Sequence, residues 1–392
     1  MNFKLSNPEQ KLLQKILSQP TAPFREGYVI SEISRTLKES QVPHFLDPIG
    51  NLVVGVDSRK AYLEKISHQN LEPLRFFIAH LDHPGFHGTQ WLSRNRLQVK
   101  WLGGSPTQHL EGAQVWLATY PKTWMTQGIL EKVQLKPSGL SIDSATVVLS
   151  ENTNQDSSQS LASSIFGGFS FRSPWWQEGE LLYTQAADDL VSASVITSLA
   201  LKTSETPWIG LLTRAEEVGF IGAIGHFELG WLDHAQRSPL CISLETSRTL
   251  LGAEIGKGPV VRLGDKFTVF DPGTLRVFSD LAQEILPNRH QKRIMDGGTC
   301  EATVATVFGF HCMGISVPLG NYHNQSLEGG PDSSPAHGPA PEFVHLEDVS
   351  GMSQLCQALL TPGLPWNKPW GKKMNEFKKE QAAYTHLLQS GA

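Results

Sequence analysis

The sequence predicts an α/β protein, a sheet covered by helices on both faces, with a smaller all-β segment set inside it. Three observations lead there. Apolar, β-branched runs alternate with helical periods in the first quarter and the second half of the chain. From about Gly88 to Gly179 the texture changes to short alternating strands separated by Gly, Pro and Ser clusters. At 392 residues the chain also exceeds the roughly 250 to 300 residues that one core usually supports.

Ser6 with Glu9 three residues on is a capping-box pattern, and Leu12, Leu13, Ile16 and Leu17 form one stripe, so the chain opens with a helix. A second helix is expected over 26–40, and strands at 50–56 and 74–82, where residues are apolar and β-branched. Within the all-β stretch, "LQVKWL" and "AQVWLATY" read as strands, and Ser150 to Ser164 is polar enough for a mobile loop. Beyond it come a helix from Asp188 through Leu199, the strands "WIGLL" and "LCISLE", and a helix with Leu275, Phe278, Leu281 and Ile285 on one face. The strand "HCMGISVPLG" and a helix carrying Val349, Met352 and Leu355 complete the domain. Between them Asn324 to Pro341, rich in Gly, Pro and Ser, reads as a surface loop. The tail has two Trp-bearing turns and a basic helix over "KKMNEFKKEQAAYTHLL". The expected organisation is 1–87 with 180–364 as one discontinuous α/β domain, 88–179 as the insertion, and 365–392 as a basic tail.

Net charge is −5 and pI ≈ 6.3, with Lys and Arg scattered, which argues against nucleic acid or an anionic membrane and for a small molecule or peptide. Cys241, Cys300, Cys312 and Cys356 show no short paired spacing, and "MNFKLSNPEQ" lacks the apolar core of a signal peptide. A reducing cytoplasm is therefore expected. No run reaches the ~18 apolar residues of a membrane-spanning helix.

The stretch that demands explanation is "RAEEVGFIGA", Arg214 to Ala223, which sets two carboxylates just past the apolar run "WIGLL". Acids leaving water need strongly positive partners. Other polar groups also stand where apolar runs end: His80 and Asp82 after "FFIA", Asp188 and Asp189 after "YTQAA", Glu245 after "CISL", His323 after "VPLGNY". Sites in open α/β sheets form outside the carboxyl ends of the strands, so these segments are expected to converge. Two imidazoles with several carboxylates suit zinc, cobalt or manganese better than calcium, and suffice for two metals sharing one carboxylate. Such a pair, about 3.5 to 4 Å apart, performs hydrolysis. One acid of the "EE" pair can bind metal while the other moves the proton of the attacking water.

Singly, each group has an ordinary alternative. His80 reads equally as a hydrogen-bonded core histidine, Asp188 and Asp189 as helix caps, Glu216 and Glu217 as partners of Arg214 at a surface turn, and Glu245 as an exposed strand end. Their recurrence at one topological place favours a site.

The segments "IAHLDHPGF", "AADDLVSA", "RAEEVGFIGA", "GKGPVV", "DGGTCEATV" and "VPLGNYHN", in this order, resemble the M42 glutamyl-aminopeptidase-like metallopeptidases, relatives of the M20 and M28 peptidases. The likeness starts at "LDPIGNLVVGV" and runs to about Leu360. It implies a zinc exopeptidase-like mixed sheet with a small β-barrel-like lid domain. It also implies His80, Asp188 and Glu245 on one metal and Asp188, Glu217 and His323 on the other, with Asp188 bridging. Glu216 would be the general base. Asp82 would be an acid that hydrogen-bonds the far nitrogen of His80. A cis peptide would follow Asp188. The cofactors implied are two divalent ions, zinc or else cobalt or manganese, the substrate a peptide or small amide, and the assembly a homo-oligomer.

Departures from the family pattern are Glu245 where Asp is usual, "GGTCEA" for "GGTDA", which puts Cys300 in the place of the Asp, Leu190 for a common Arg, and the long loop after His323. The extra histidines His83 and His87 read as surface residues. The leading reading is a di-metal aminopeptidase. The nearest rival is an amidase or deacylase of N-acyl amino acids, since one metal pair serves both. A binding protein on a degenerate peptidase fold is the reading from another class, and the complete ligand set speaks against it. A glycosidase would leave His80 and His323 unexplained.

Overall fold

Four strands, Trp208–Thr213, Arg75–His80, Leu240–Arg248 and His311–Gly320, lie side by side and parallel. The first two are buried at every residue, as expected where helices cover both faces of a sheet and continuous apolar runs replace alternation. The computed structural model describes residues 4–68, 72–121, 124–149, 161–203, 208–236 and 239–390. Leu52–Val54 and His44–Leu46 extend the sheet antiparallel at one edge. Glu342–His345, Leu181–Thr184 and Trp175–Glu178 extend it at the other, each antiparallel to the last. Val260–Asp265 joins His311–Gly320 antiparallel and carries Gln291–Met295. The result is an eleven-stranded mixed sheet among the described residues.

Helices stack in two groups that cover this sheet. Leu190–Lys202 is buried on nearly every side, and Asn7–Leu17 lays Leu12, Leu13, Ile16 and Leu17 against it. The predicted capping box is formed, with Ser6 N–H donating to Glu9 Oε2 at 2.8 Å. Pro272–Ile285 and Leu346–Ala358 complete that layer, while Ile221–Glu228 packs on Glu301–Val307.

The inserted strands Gly85–Ser93, Arg96–Leu102, Ile142–Leu149, Trp124–Leu135, Gln114–Thr119 and Ile165–Phe169 close into a six-stranded barrel. It has its own core, including Phe86, Trp101, Leu117, Val147 and Phe169. The expected mobile loop falls on 150–160, outside the described residues, and ends in a 3₁₀ turn at Ala162–Ser164.

Beyond the 3₁₀ turn Tyr322–Asn324, residues 325–341 have no helix or strand, yet the expected loop is not a free surface loop. Asn324, Ser326 and Ala340 are buried, the His337 carbonyl accepts from the Thr107 and Gln108 N–H groups at 3.2 Å each, and Arg172 pairs with Asp332 at 2.7 Å. Its polar residues thus bond across to the barrel. The Gly371–Ser390 helix forms as expected and lies exposed. All four cysteines are free and buried. Among the described residues no helix is long and apolar enough to cross a membrane.

Candidate metal centre

The topology brings the flagged residues to one edge. Thr213 and His80 are register partners, so Glu216 and Glu217 leave the sheet beside His80, and Glu245 and Ser316 are partners on the next two strands. Leu181–Thr184 also runs parallel to these, because two antiparallel pairings separate it from His311–Gly320. Asp188 and His323 therefore emerge on the same side as the others.

Three groups of candidate ligands result, each with its atoms within 4.8 Å of one another: His80, Asp188 and Glu245; Asp188, Glu217 and His323; and His80, Glu216 and Glu217. Asp188 stands between the imidazoles, Oδ1 3.4 Å from His80 Nε2 and Oδ2 3.7 Å from His323 Nε2. His323 Nε2 lies 3.1 Å from Glu217 Oε2. A cation fits this donor set. Asp188 Oδ1 and Glu217 Oε1 are buried without a hydrogen-bond partner, and His323 Nε2 makes no well-aligned hydrogen bond, a costly arrangement unless something else satisfies them.

The electrostatics agree. Burial, only partly offset by His80 and reinforced by Glu217, Glu301 and Glu245, raises the Glu216 carboxyl far above the usual range. Burial, opposed by Arg262, pushes Glu245 up to about 8. Burial by itself would depress His80, but Glu216, Asp188, Asp82 and Asp189 outweigh it and hold the imidazole well above its ordinary value. A divalent ion in their midst would favour the ionised carboxylates and neutral imidazoles.

Each loop is held by the residues around it. In "LDPIGN", Asp47 binds Asn51 and His226, while Asn51 accepts from Arg214 N–H at 3.1 Å and donates to Gly222 O at 3.0 Å. This clamps the "RAEEVGFIGA" turn. A Cβ on Gly222 would lie 2.5 Å from the Arg214 carbonyl, so only glycine fits. Arg214 pairs with buried Glu26 at 2.7 Å, not with the Glu pair, which removes the surface-turn alternative. Asp189 is the N-cap residue by position but makes no cap bond; it accepts from Thr246 Oγ1 at 3.0 Å instead. The peptide between Asp188 and Asp189 is cis. His323 sits in the left-handed region at φ 55°, with Tyr322 stacked on its ring. From the barrel, Gly104 presses on the same imidazole, and a Cβ there would lie 2.0 Å from Nδ1.

The model of the M42 glutamyl aminopeptidase family matches residues 62–328. The chain belongs to that family. It is thus a metal-dependent aminopeptidase, a hydrolase of peptide bonds. No curated protein matches the chain. Solved M42-like structures share the fold at low identity. A TET peptidase of Pyrococcus horikoshii is 18% identical over 90% of this chain and 99% of its own, with a TM-score of 0.67. A TET aminopeptidase from a marine-sediment thaumarchaeote is 18% identical over 91% and 98%, TM-score 0.69. An aminopeptidase of Desulfurococcus kamchatkensis is 18% identical over 92% and 96%, TM-score 0.69.

Against the M42 pattern, three placements differ from expectation. His80 Nδ1 donates to the main-chain oxygen of Asp82 at 3.1 Å; the Asp82 carboxylate is 3.6 Å away because it accepts from the Glu216 and Glu217 N–H groups, at 2.9 and 3.1 Å. His83 is buried, not a surface residue, its Nδ1 2.7 Å from Asp188 O. Cys300 does not reach the cleft: it is buried against Asp265, 3.6 Å away. The acid facing the centre is Glu301, one position on, which accepts from Thr213 Oγ1 at 2.6 Å. The single-residue register of "GGTCEA" concealed this. Glu342 was also missed, since no neighbouring motif distinguishes it in the sequence.

A cleft of ≈ 260 Å³ opens beside the centre, lined by His80, Asp188, Glu216 and Glu245 together with Arg248, Arg262 and Met295.

Proposed function

We propose that this M42 enzyme is a two-metal exopeptidase that removes N-terminal residues from peptides, with His80, Asp188 and Glu245 holding one ion and Asp188, Glu217 and His323 the other. The observation that carries this reading is the pair of triads sharing Asp188. The mixture of imidazoles and carboxylates suits zinc first, cobalt or manganese next. When bound, such a pair supplies a water acidified towards neutrality and polarises the scissile carbonyl. Glu216 is the general base: its Oε2 lies 3.9 Å from His80 Nε2 and its carboxyl lines the cleft, so it can take a proton from the attacking water and deliver it to the leaving amine. Asp82 orients it by fixing its N–H. The zinc exopeptidase-like description of the fold and a homo-oligomeric assembly belong to the same proposal; the Pyrococcus horikoshii peptidase assembles into a tetrahedron or an octahedral shell. The four free cysteines suit a reducing cytoplasm.

Buried Arg262 faces Glu245, Nη1 to Oε2 3.7 Å, which leaves the exposed Arg248 as the cation on the cleft wall. That favours an acidic N-terminal side chain. The test is metal content per chain with turnover of an aminoacyl-amide panel. About two metals per chain are expected, and glutamyl amide should exceed leucyl amide in kcat/KM by about tenfold or more, the worth of one charge-assisted hydrogen bond. N-acyl amino acids turned over in preference to any aminoacyl amide would move the reading to a deacylase.

Gly104→Ala should push the His323 ring off its position and weaken one of the two metals by about tenfold, as displaced supporting contacts usually do. Titration of the metal-free protein checks this. Unchanged binding of both ions would separate His323 from the ligand set.

A further inference from the structure

Glu342 is a fully buried carboxylate beside the centre that belongs to no triad. It opens the strand Glu342–His345, which lies in the sheet between His311–Gly320 and Leu181–Thr184. Those two neighbours lead into the loops that carry His323 and Asp188. Glu342 Oε2 accepts from the Ala187 and Asp188 N–H groups at 2.7 and 3.1 Å, and Oε1 accepts from the His323 N–H at 2.8 Å. One side chain thus grips the main chain of two candidate ligands from separate strands. Both donor segments lie past the ends of their strands, so no sheet ladder fixes their spacing. A carboxyl whose two oxygens accept from three N–H donors is a rigid clamp.

We propose that Glu342 is a positioning residue that sets the separation of Asp188 and His323 and so shapes the second metal site, an inference that rests on the two-metal reading. Asp82 does the equivalent on the other side, spanning the Glu216 and Glu217 N–H groups. Two non-ligand carboxylates then hold the loops of the centre from below, and neither needs to touch an ion.

The test is zinc titration of the full chain against a competing chelator, for the native protein, Glu342→Gln and Glu342→Asp, with circular dichroism of each metal-free form. Gln keeps the volume but turns one oxygen into a donor facing N–H groups; Asp keeps the charge with a shorter reach. In Glu342→Gln one metal should bind about 10- to 100-fold more weakly while the other stays near native affinity. Glu342→Asp should fall between, and kcat of both variants should recover at saturating zinc. A residue that only stabilises the fold would not weaken one ion selectively. Native affinity for both ions in both variants would overturn the inference, as would loss of the folded state in both. A native protein that itself binds fewer than two ions would instead bring down the two-metal reading.

Discussion

Glu216→Gln should lower kcat by about 10² to 10⁴, the usual worth of a positioned general base, and leave both metals of the proposed centre bound. The amide keeps the volume and the N–H contact to Asp82 but cannot take a proton. Glu216 belongs to the third candidate group, with His80 and Glu217, so it could be a ligand instead. The two roles separate cleanly. A base variant retains metal at native affinity and loses turnover, with KM for an aminoacyl amide little changed. A ligand variant loses an ion and regains some activity when metal is added. Near-native turnover at full metal occupancy would remove Glu216 from the chemistry.

On the two-metal reading, Asp188→Ala should abolish detectable hydrolysis and take metal content from about two ions per chain to less than about one, because a bridging carboxylate would serve both sites. The metal-free variant should meanwhile stay within about 1 kcal/mol of the metal-free native protein. The reason lies in what Asp188 faces. Its side chain lies among Glu245 and Glu217 on one hand and the imidazoles of His80 and His323, 3.4 and 3.7 Å away, on the other. The contacts that fix its loop, from His83 and Glu342, engage its main chain only. Removing the carboxylate relieves repulsion from the neighbouring acids but gives up both imidazoles, and it does not release the loop, so the two effects largely offset each other. Metal analysis and thermal unfolding in chelator check both halves. Retention of both ions would exclude the bridge; marked destabilisation of the metal-free form would show that the side chain has a structural task.

Much of this was legible in the chain. Helices such as Asn7–Leu17 and Pro272–Ile285 announce themselves by one buried stripe and a local cap, and central strands by unbroken apolar runs. Elements with weak periods were not seen: Arg59–Ser67, with two buried residues, and Gln291–Met295, which exposes alternate side chains. In the site, residues at the ends of strong strands were readable because a charge after an apolar run is a local signal. Glu342 and His83 were not, since what marks them is a main-chain partner far away in sequence, on another strand.

By itself, then, the sequence determined the central strands, which acids and imidazoles end them, and through its motifs the M42 family, all properties carried within a few neighbouring residues. Only the tertiary structure decided that Arg214 turns to Glu26, that Asp82 holds its carboxylate on the Glu216 loop, that Glu301 rather than Cys300 faces the centre, and that Glu342 joins two ligand loops. A buried polar atom takes whichever partner the packed backbone brings within about 3 Å. That choice depends on sheet order and loop path, which no local pattern encodes.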